Sequence, residues 1–252
     1  MNDLEDALAK LAAPVIQEAY SDAVSGALRE AAKIGVDAVK TVRLALFPLQ
    51  VAAALQDRLA GYIDRAVRSV PVERRIAPVE SLASQIAERL RSQEEESPIT
   101  DMYVRLLARA FDRERVGEAH PAFVHLIGQL APDEVLIIRQ LDGVSRAAYL
   151  KHKATGRPVH LEERTEFAAR GQVRPAAGEE LLRISLRPEE LAQPDLFFTY
   201  VEHLVSLGIV VYTNDHPYAD TQVALKTLGA ECWFVELNQF GRLFHSACLG
   251  IT

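Results

Sequence analysis

Residues 195–212 read DLFFTYVEHLVSLGIVVY, and this stretch decides the architecture. Phe197, Phe198, Val201, Leu204 and Val205 recur at three- and four-residue spacing, which places them on one helical face. Asp195 stands where an N-cap belongs, and Gly208 can end the helix. Ile209-Val210-Val211-Tyr212 then has the β-branched and aromatic texture of a strand. A second such run, Cys232 to Val235, can pair with it antiparallel across a long irregular connection. Asn238 can cap a last helix whose inner face is Phe240, Leu243, Phe244 and Ala247. Helix, strand, long loop, strand, helix is the order of a winged-helix-like α+β module.

Upstream, the texture is helical almost throughout. Leu4, Ala7, Leu8 and Leu11, then Ile16, Ala19, Tyr20, Ala23 and Ala27, form one stripe disturbed near Pro14. Leu55, Leu59, Tyr62, Ile63, Ala66, Val67 and Val70 form a cleaner one, ended by Pro71. Pro78 opens a segment with Val79, Leu82, Ala83, Ile86 and Leu90 on one face, followed by the solvated run Glu94-Glu95-Glu96. Ser97-Pro98 is a helix start, a capping hydroxyl followed by a proline whose missing N–H costs nothing in the first turn. His120-Pro121 repeats the device and buries Phe123, and Pro132-Asp133-Glu134 opens another helix with two acids at the positive end of its dipole. Beyond about residue 142, Gly156, Pro158, Gly171, Pro175 and Gly178 break the pattern. The expected fold is therefore mainly α with a smaller α+β part: an N-terminal helical bundle over 1–141 and a winged-helix-like module over 142–252.

The chain of 252 residues carries 28 basic against 35 acidic side chains, a formal charge of −7. Such a balance argues against phosphate backbones and anionic lipid as general partners. Its two cysteines, Cys232 and Cys248, are too few for a disulfide scaffold and read as buried thiols of a cytoplasmic protein. The acidic start Met1-Asn2-Asp3-Leu4-Glu5-Asp6 is unlike the basic head of a signal peptide. Val42 to Leu55 is the one run that invites a membrane test. It falls short of the roughly 20 apolar residues a bilayer requires and is interrupted by Arg43, Pro48 and Gln50, so it reads as a buried helix kinked at Pro48. An interfacial or conditionally inserting helix is the alternative.

No chemistry announces itself. The seven histidines show no i, i+4 pair beside a carboxylate, and no close cysteine pair exists, so no metal site is expected. GxxxxGK[ST], GxGxxG and GxSxG are all missing, so no cofactor and no catalytic residue is expected either. The acidic pairs Glu162-Glu163 and Glu179-Glu180 read as solvated surface. Arg139, Arg146, Lys151, Lys153 and Arg157, with His152 among them, form the one basic concentration near the module: a candidate anion or partner patch, or a strand edge guarded by lysines. Asp195 to Leu207 has no Lys or Arg, so specific duplex DNA binding is not expected of that helix.

The string AHPAFVHLIGQLAPDEVLIIRQLDG at 119–143 and the ending LVSLGIVVY … CWFVELNQFGRLFHSAC resemble the abortive infection alpha family, a bacterial group associated with phage resistance. His120-Pro121-Ala122-Phe123 matches the family's HPxF element, and Gln129 to Glu134 matches its QL[ST]PDE element with Ala131 in place of the hydroxyl residue. Leu207-Gly208-Ile209-Val210 and Leu237 through Phe240, Gly241 and Phe244 to Cys248 match its ending, with Asn238 in place of another hydroxyl. The resemblance implies a role in anti-phage defence and brings no catalytic residues with it. His120 before Pro121 is explained by capping geometry. The function expected is a non-enzymatic defence component working through a protein partner, a ligand or self-association. A conditional membrane-active effector and a DNA-binding regulator are the alternatives.

Overall fold

The computed structural model describes residues 38–144, 146–160, 162–163, 165, 181, 183–213 and 229–250, with side chains from Ala53 onward. The apolar stripe expected over residues 4–27 lies outside them. Contacts divide the chain into two compact units, one ending at Gly128 and one starting at Gln129. The change of texture near residue 142 marks the end of a helix that the contacts group with the second unit.

The first unit is helical. Its elements are α1 (Ala38–Arg68), α2 (Glu80–Arg91), α3 (Pro98–Phe111) and the short α4 (Ala122–Ile127). The backbone of α1 stays helical through Pro48. Leu59, Tyr62, Ile63, Ala66 and Val67 are buried, as their spacing predicts, with Val70 buried just beyond. Leu82, Ala83, Ile86, Ala87 and Leu90 form the buried face of α2. Val79 departs from that stripe: it is the residue before the helix and is 59% exposed. Ser97 accepts the Ile99 N–H at 3.2 Å, so α3 starts as the Ser-Pro pair implies. Glu94, Glu95 and Glu96 face solvent.

A polar strap completes this unit. The Ile76 N–H donates to the Phe111 carbonyl at 2.9 Å, and the Arg113 N–H to that of Arg74 at 2.9 Å. Between them the Arg74 guanidinium donates Nε–H to Asp112 Oδ1 at 3.0 Å and makes a second contact to Oδ2. Asp112 is buried, and its hydrogen bond with Arg74 holds its carboxyl below the ordinary carboxylate range.

The second unit is mixed, with α5 (Pro132–Gln140), β1 (Ala147–His152), α6 (Phe197–Ser206), β2 (Val210–Thr213), β3 (Ala230–Leu237) and α7 (Gln239–Cys248). The strands form an antiparallel sheet in the order β1-β3-β2. Val210 faces Leu237 and Tyr212 faces Val235, the pairing expected across the long connection. In sequence β1 is legible only as a lysine-guarded edge; it is the end strand of the sheet, with Tyr149 opposite Trp233 and Lys151 opposite Glu231. Its outer side is covered, however, the Val159 N–H donating to the Leu150 carbonyl at 3.0 Å and the Ala148 N–H to that of Ile184 at 2.9 Å. One face of the sheet buries Ala148, Leu150, Cys232 and Phe234 against Val159, Leu181 and Ile184. On the other, Tyr149 meets the Phe197 ring edge-on at 5.8 Å.

Asp195 is not the cap of α6. It lies in a 3-10 turn, Pro194–Leu196, and Leu196 precedes the helix with no side-chain cap bond. Phe197, Val201 and Leu204 are buried on α6, whereas Phe198 and Val205 are half-buried. Among the described residues no helix is long and apolar enough to cross a membrane.

Candidate functional site

The residues that stand out in sequence divide into motif positions and the basic patch. At the head of α5, Pro132 occupies the first turn, where its lack of N–H is harmless. The two acids that follow do more than meet a helix dipole, which is all that their place in the sequence implies. Asp133, 5% exposed, accepts the Ala192 and Gln193 N–H groups at 2.9 Å each, closing the chain ahead of α6 onto α5. Tyr200 on α6 joins the same carboxylate, and its phenol is raised by burial and by Asp133. Glu134, 1% exposed, accepts the Ala131 N–H through Oε2 at 2.7 Å and meets His203 Nδ1 through Oε1 at 2.7 Å. Ala131 has no acceptor to offer in return, so half a capping box remains. A buried carboxylate is costly unless each lone pair is used, and here both acids are spent on joining α5 to α6. His203, alone on its helix in sequence, gives no sign of this role there.

At the other end of α6, Gly208 has φ +69, the left-handed turn its position requires. The Asn238 side chain donates to the Gly208 carbonyl at 2.7 Å and accepts the Gly241 N–H at 2.7 Å. One residue thus caps α7 and ties it to the turn between α6 and β2. A methyl group at Gly241 would overlap the Ile209 carbonyl oxygen and lie 2.9 Å from its carbon, so this glycine is the point where helix meets backbone. Phe244 is fully buried one turn on, with Ala247 and Cys248. Phe240 corrects the expectation: it and Leu243 are half-buried, because the inward face of α7 runs Gly241, Phe244, Ala247, Cys248.

In the first unit, His120 accepts the Ala122 N–H through Nδ1 at 3.2 Å, and its ring centroid lies 5.5 Å from that of Phe123. Phe123 is fully buried while His120 and Pro121 are exposed, the arrangement a capping role predicts. The HPxF element is therefore a helix start with its anchor. Burial pushes the Cys232 thiol up to about 12, so it is a packing group at neutral pH, and Cys248 is buried as well. Among the described residues, no group of three or more His, Cys, Asp or Glu side chains has the geometry to hold a metal.

A family model described as abortive infection alpha matches residues 50–248. The chain belongs to the abortive infection alpha family. No curated protein and no solved structure matches it. Membership points to an abortive-infection role, and the abortive infection alpha motifs seen above are where the helices start, stop and join.

The basic patch lies apart from these joints. Arg139 is exposed on α5, Arg146 is half-buried just before β1, Lys151 is on β1 and Lys153 in the turn after it. Lys151 sets its ammonium 5.0 Å from the centroid of the Phe198 ring and stands across from Glu231. Arg157 pairs with Asp195 at 3.8 Å, both exposed, a contact worth about 0–1 kcal/mol. Arg157 also lines a cleft of ≈ 810 Å³ with His152, His160, Glu162, Glu163 and Glu189. Glu163 is less free than its acidic pair suggests, since it accepts the His160 N–H at 3.0 Å and meets His152 at 3.3 Å. An anion drawn to Arg157 would therefore meet three carboxylates.

Proposed function

We propose that this chain is a non-enzymatic component of a bacterial abortive-infection defence that acts in the cytoplasm through contacts with a protein or ligand or with its own copies. The observation that carries the reading is how the motif residues are used. Asp133, Glu134, Asn238 and Gly241 are each committed to backbone or to a neighbouring helix, so the family signature encodes a shape to be recognised. The order helix, strand, helix, strand, strand, helix with sheet order β1-β3-β2 supports a winged-helix-like reading of the second unit, and the packing of α1, α2 and α3 supports a helical bundle for the first. A reading of duplex DNA by α6 gains no support, because FFTYVEHLVS has no Lys or Arg to meet phosphate. The membrane-effector reading gains none from the described helices.

Phage plating on cells carrying the gene with its operon neighbours tests the proposal. His203→Ala, which leaves Glu134 only its Ala131 N–H, should cost about 1.5–3 kcal/mol of stability and lower protection in step with the amount of folded protein. Substitutions of His152, His160 and Glu163 should leave protection unchanged, since no reaction runs in that cleft. Full loss of protection in a folded, stable His152→Ala variant that still binds the partner or ligand of the wild-type protein would point to catalysis and sink the reading.

A further inference from the structure

One sheet face of the second unit exposes two large rings, Tyr212 at 43% and Trp233 at 46%. They lie on the neighbouring strands β2 and β3, with centroids 6.4 Å apart and planes 64° from each other. Residues paired across strands point to the same face, so Tyr149 opposite Trp233, and Lys151 opposite Glu231, belong to this surface too. Tyr149 is buried behind the exposed rings, and its phenol is raised by burial, by Tyr212, to which it is hydrogen-bonded, and by the Glu202 carboxylate on α6. The surface therefore has an aromatic centre, Lys151 as its base, already seated on the Phe198 ring, and two acids: Glu231 on β3, and Glu202, exposed on α6 one turn after Phe198, whose ring lies 5.5 Å from that of Tyr149.

Electrostatics choose among partners. Ring faces are negative and ring edges positive, so a tilted pair of exposed aromatics beside carboxylates suits a guanidinium or ammonium group. A nucleic-acid strand would bring phosphates toward Glu202 and Glu231 on a chain of net charge −7. We propose that the Tyr212–Trp233 face docks a basic segment of a protein partner, placing an Arg or Lys side chain against the rings with Glu231 and Glu202 as counter-charges. This rests on the reading of the chain as a contact protein, and it names the surface and the chemistry of the contact.

Trp233 is the chain's single tryptophan, so its emission reports this surface directly. The experiment titrates the full-length protein with a tetra-arginine peptide, a tetra-glutamate peptide and a short oligothymidylate, by fluorescence and by calorimetry. The arginine peptide should shift Trp233 emission, and Tyr212→Leu and Trp233→Leu should each weaken its binding roughly tenfold in calorimetry. Neither substitution changes net charge, so bulk attraction between an acidic chain and a polycation stays the same in all three proteins. Glu231→Gln leaves the rings in place, guards against a folding defect in the ring variants, and should weaken binding as well. The proposal is overturned if the arginine peptide binds all variants equally, if wild-type emission does not respond, or if the oligothymidylate or the glutamate peptide binds more tightly. An emission shift that follows protein concentration without any peptide would assign the face to a second copy and overturn it too. None of these outcomes depends on phage plating, so this surface and the wider functional reading fail separately.

Discussion

The two units are held together in different ways. In the first, stripes on α1, α2 and α3 fill a core with residues three and four apart, and the main polar device is the Arg74–Asp112 strap. In the second, the decisive links join residues distant in sequence: Asp133 to Gln193, Glu134 to His203, Asn238 to Gly208, Gly241 to Ile209. Apolar stripes tolerate change gradually, since a core of roughly the right volume still folds. Clasps of this kind do not, because a lost partner leaves a buried group unsatisfied. The second unit is thus where the family signature concentrates and where single substitutions should tell most.

The largest expected effect is at Phe244. Truncation to Ala removes a fully buried ring and should cost about 3–5 kcal/mol, enough to unfold the second unit while the helices of the first persist, seen as a split thermal transition. Phe240→Ala should cost clearly less, as that ring is half-buried. Equal losses at the two positions would break the distinction between them.

Two glycines give a sharper contrast. Gly61 sits within α1 with open space where a methyl group would stand, so Gly61→Ala should stabilise the first unit by about 0.5–1 kcal/mol through helix propensity. Gly241→Ala gains the same propensity but drives a methyl into the Ile209 carbonyl, and should destabilise the second unit by about 1–3 kcal/mol. Chemical denaturation of both variants checks the opposite signs.

The smallest effect is in pH. Burial of His245, with Asp142 only 3.8 Å away as a weaker opposing influence, holds its imidazole below the ordinary value of 6.5. A base with a depressed folded value is neutral in the fold, so its contribution is present above pH 6.5 and is lost as pH falls below it. Asp112 is a depressed acid, whose contribution persists above its ordinary value of 3.8 and goes only as pH falls further. The second unit should therefore soften as pH falls below 6.5 while the first holds until carboxylates titrate. His245→Gln should flatten that slope in melting curves taken across the range.

Legibility follows the range of the interaction. The stripe from Leu59 to Val70, the Ser97-Pro98 start, the pairing of β2 with β3 and the cap at Asn238 are all readable, because each depends on neighbours within a turn or on a texture local to the strand. Asp195 misleads, since it is a good capping residue close to a helix start, yet the chain places a 3-10 turn there. Phe240 misleads because four-residue spacing from Phe244 allows two faces, and only the approach of Ile209 to Gly241 selects between them.

By itself, then, the sequence determined the family, the helical character of the first unit, the strand pair and the local starts and stops. Those properties follow from periodicity, caps and turns, whose free energies are set within a few residues. Only the tertiary structure decided that Asp133 and Glu134 are buried joints, that His203 meets Glu134, and that Tyr212 and Trp233 share an open face. Each requires knowing which side chains meet across tens of residues, and that is fixed by the packing of whole elements, which no local pattern contains.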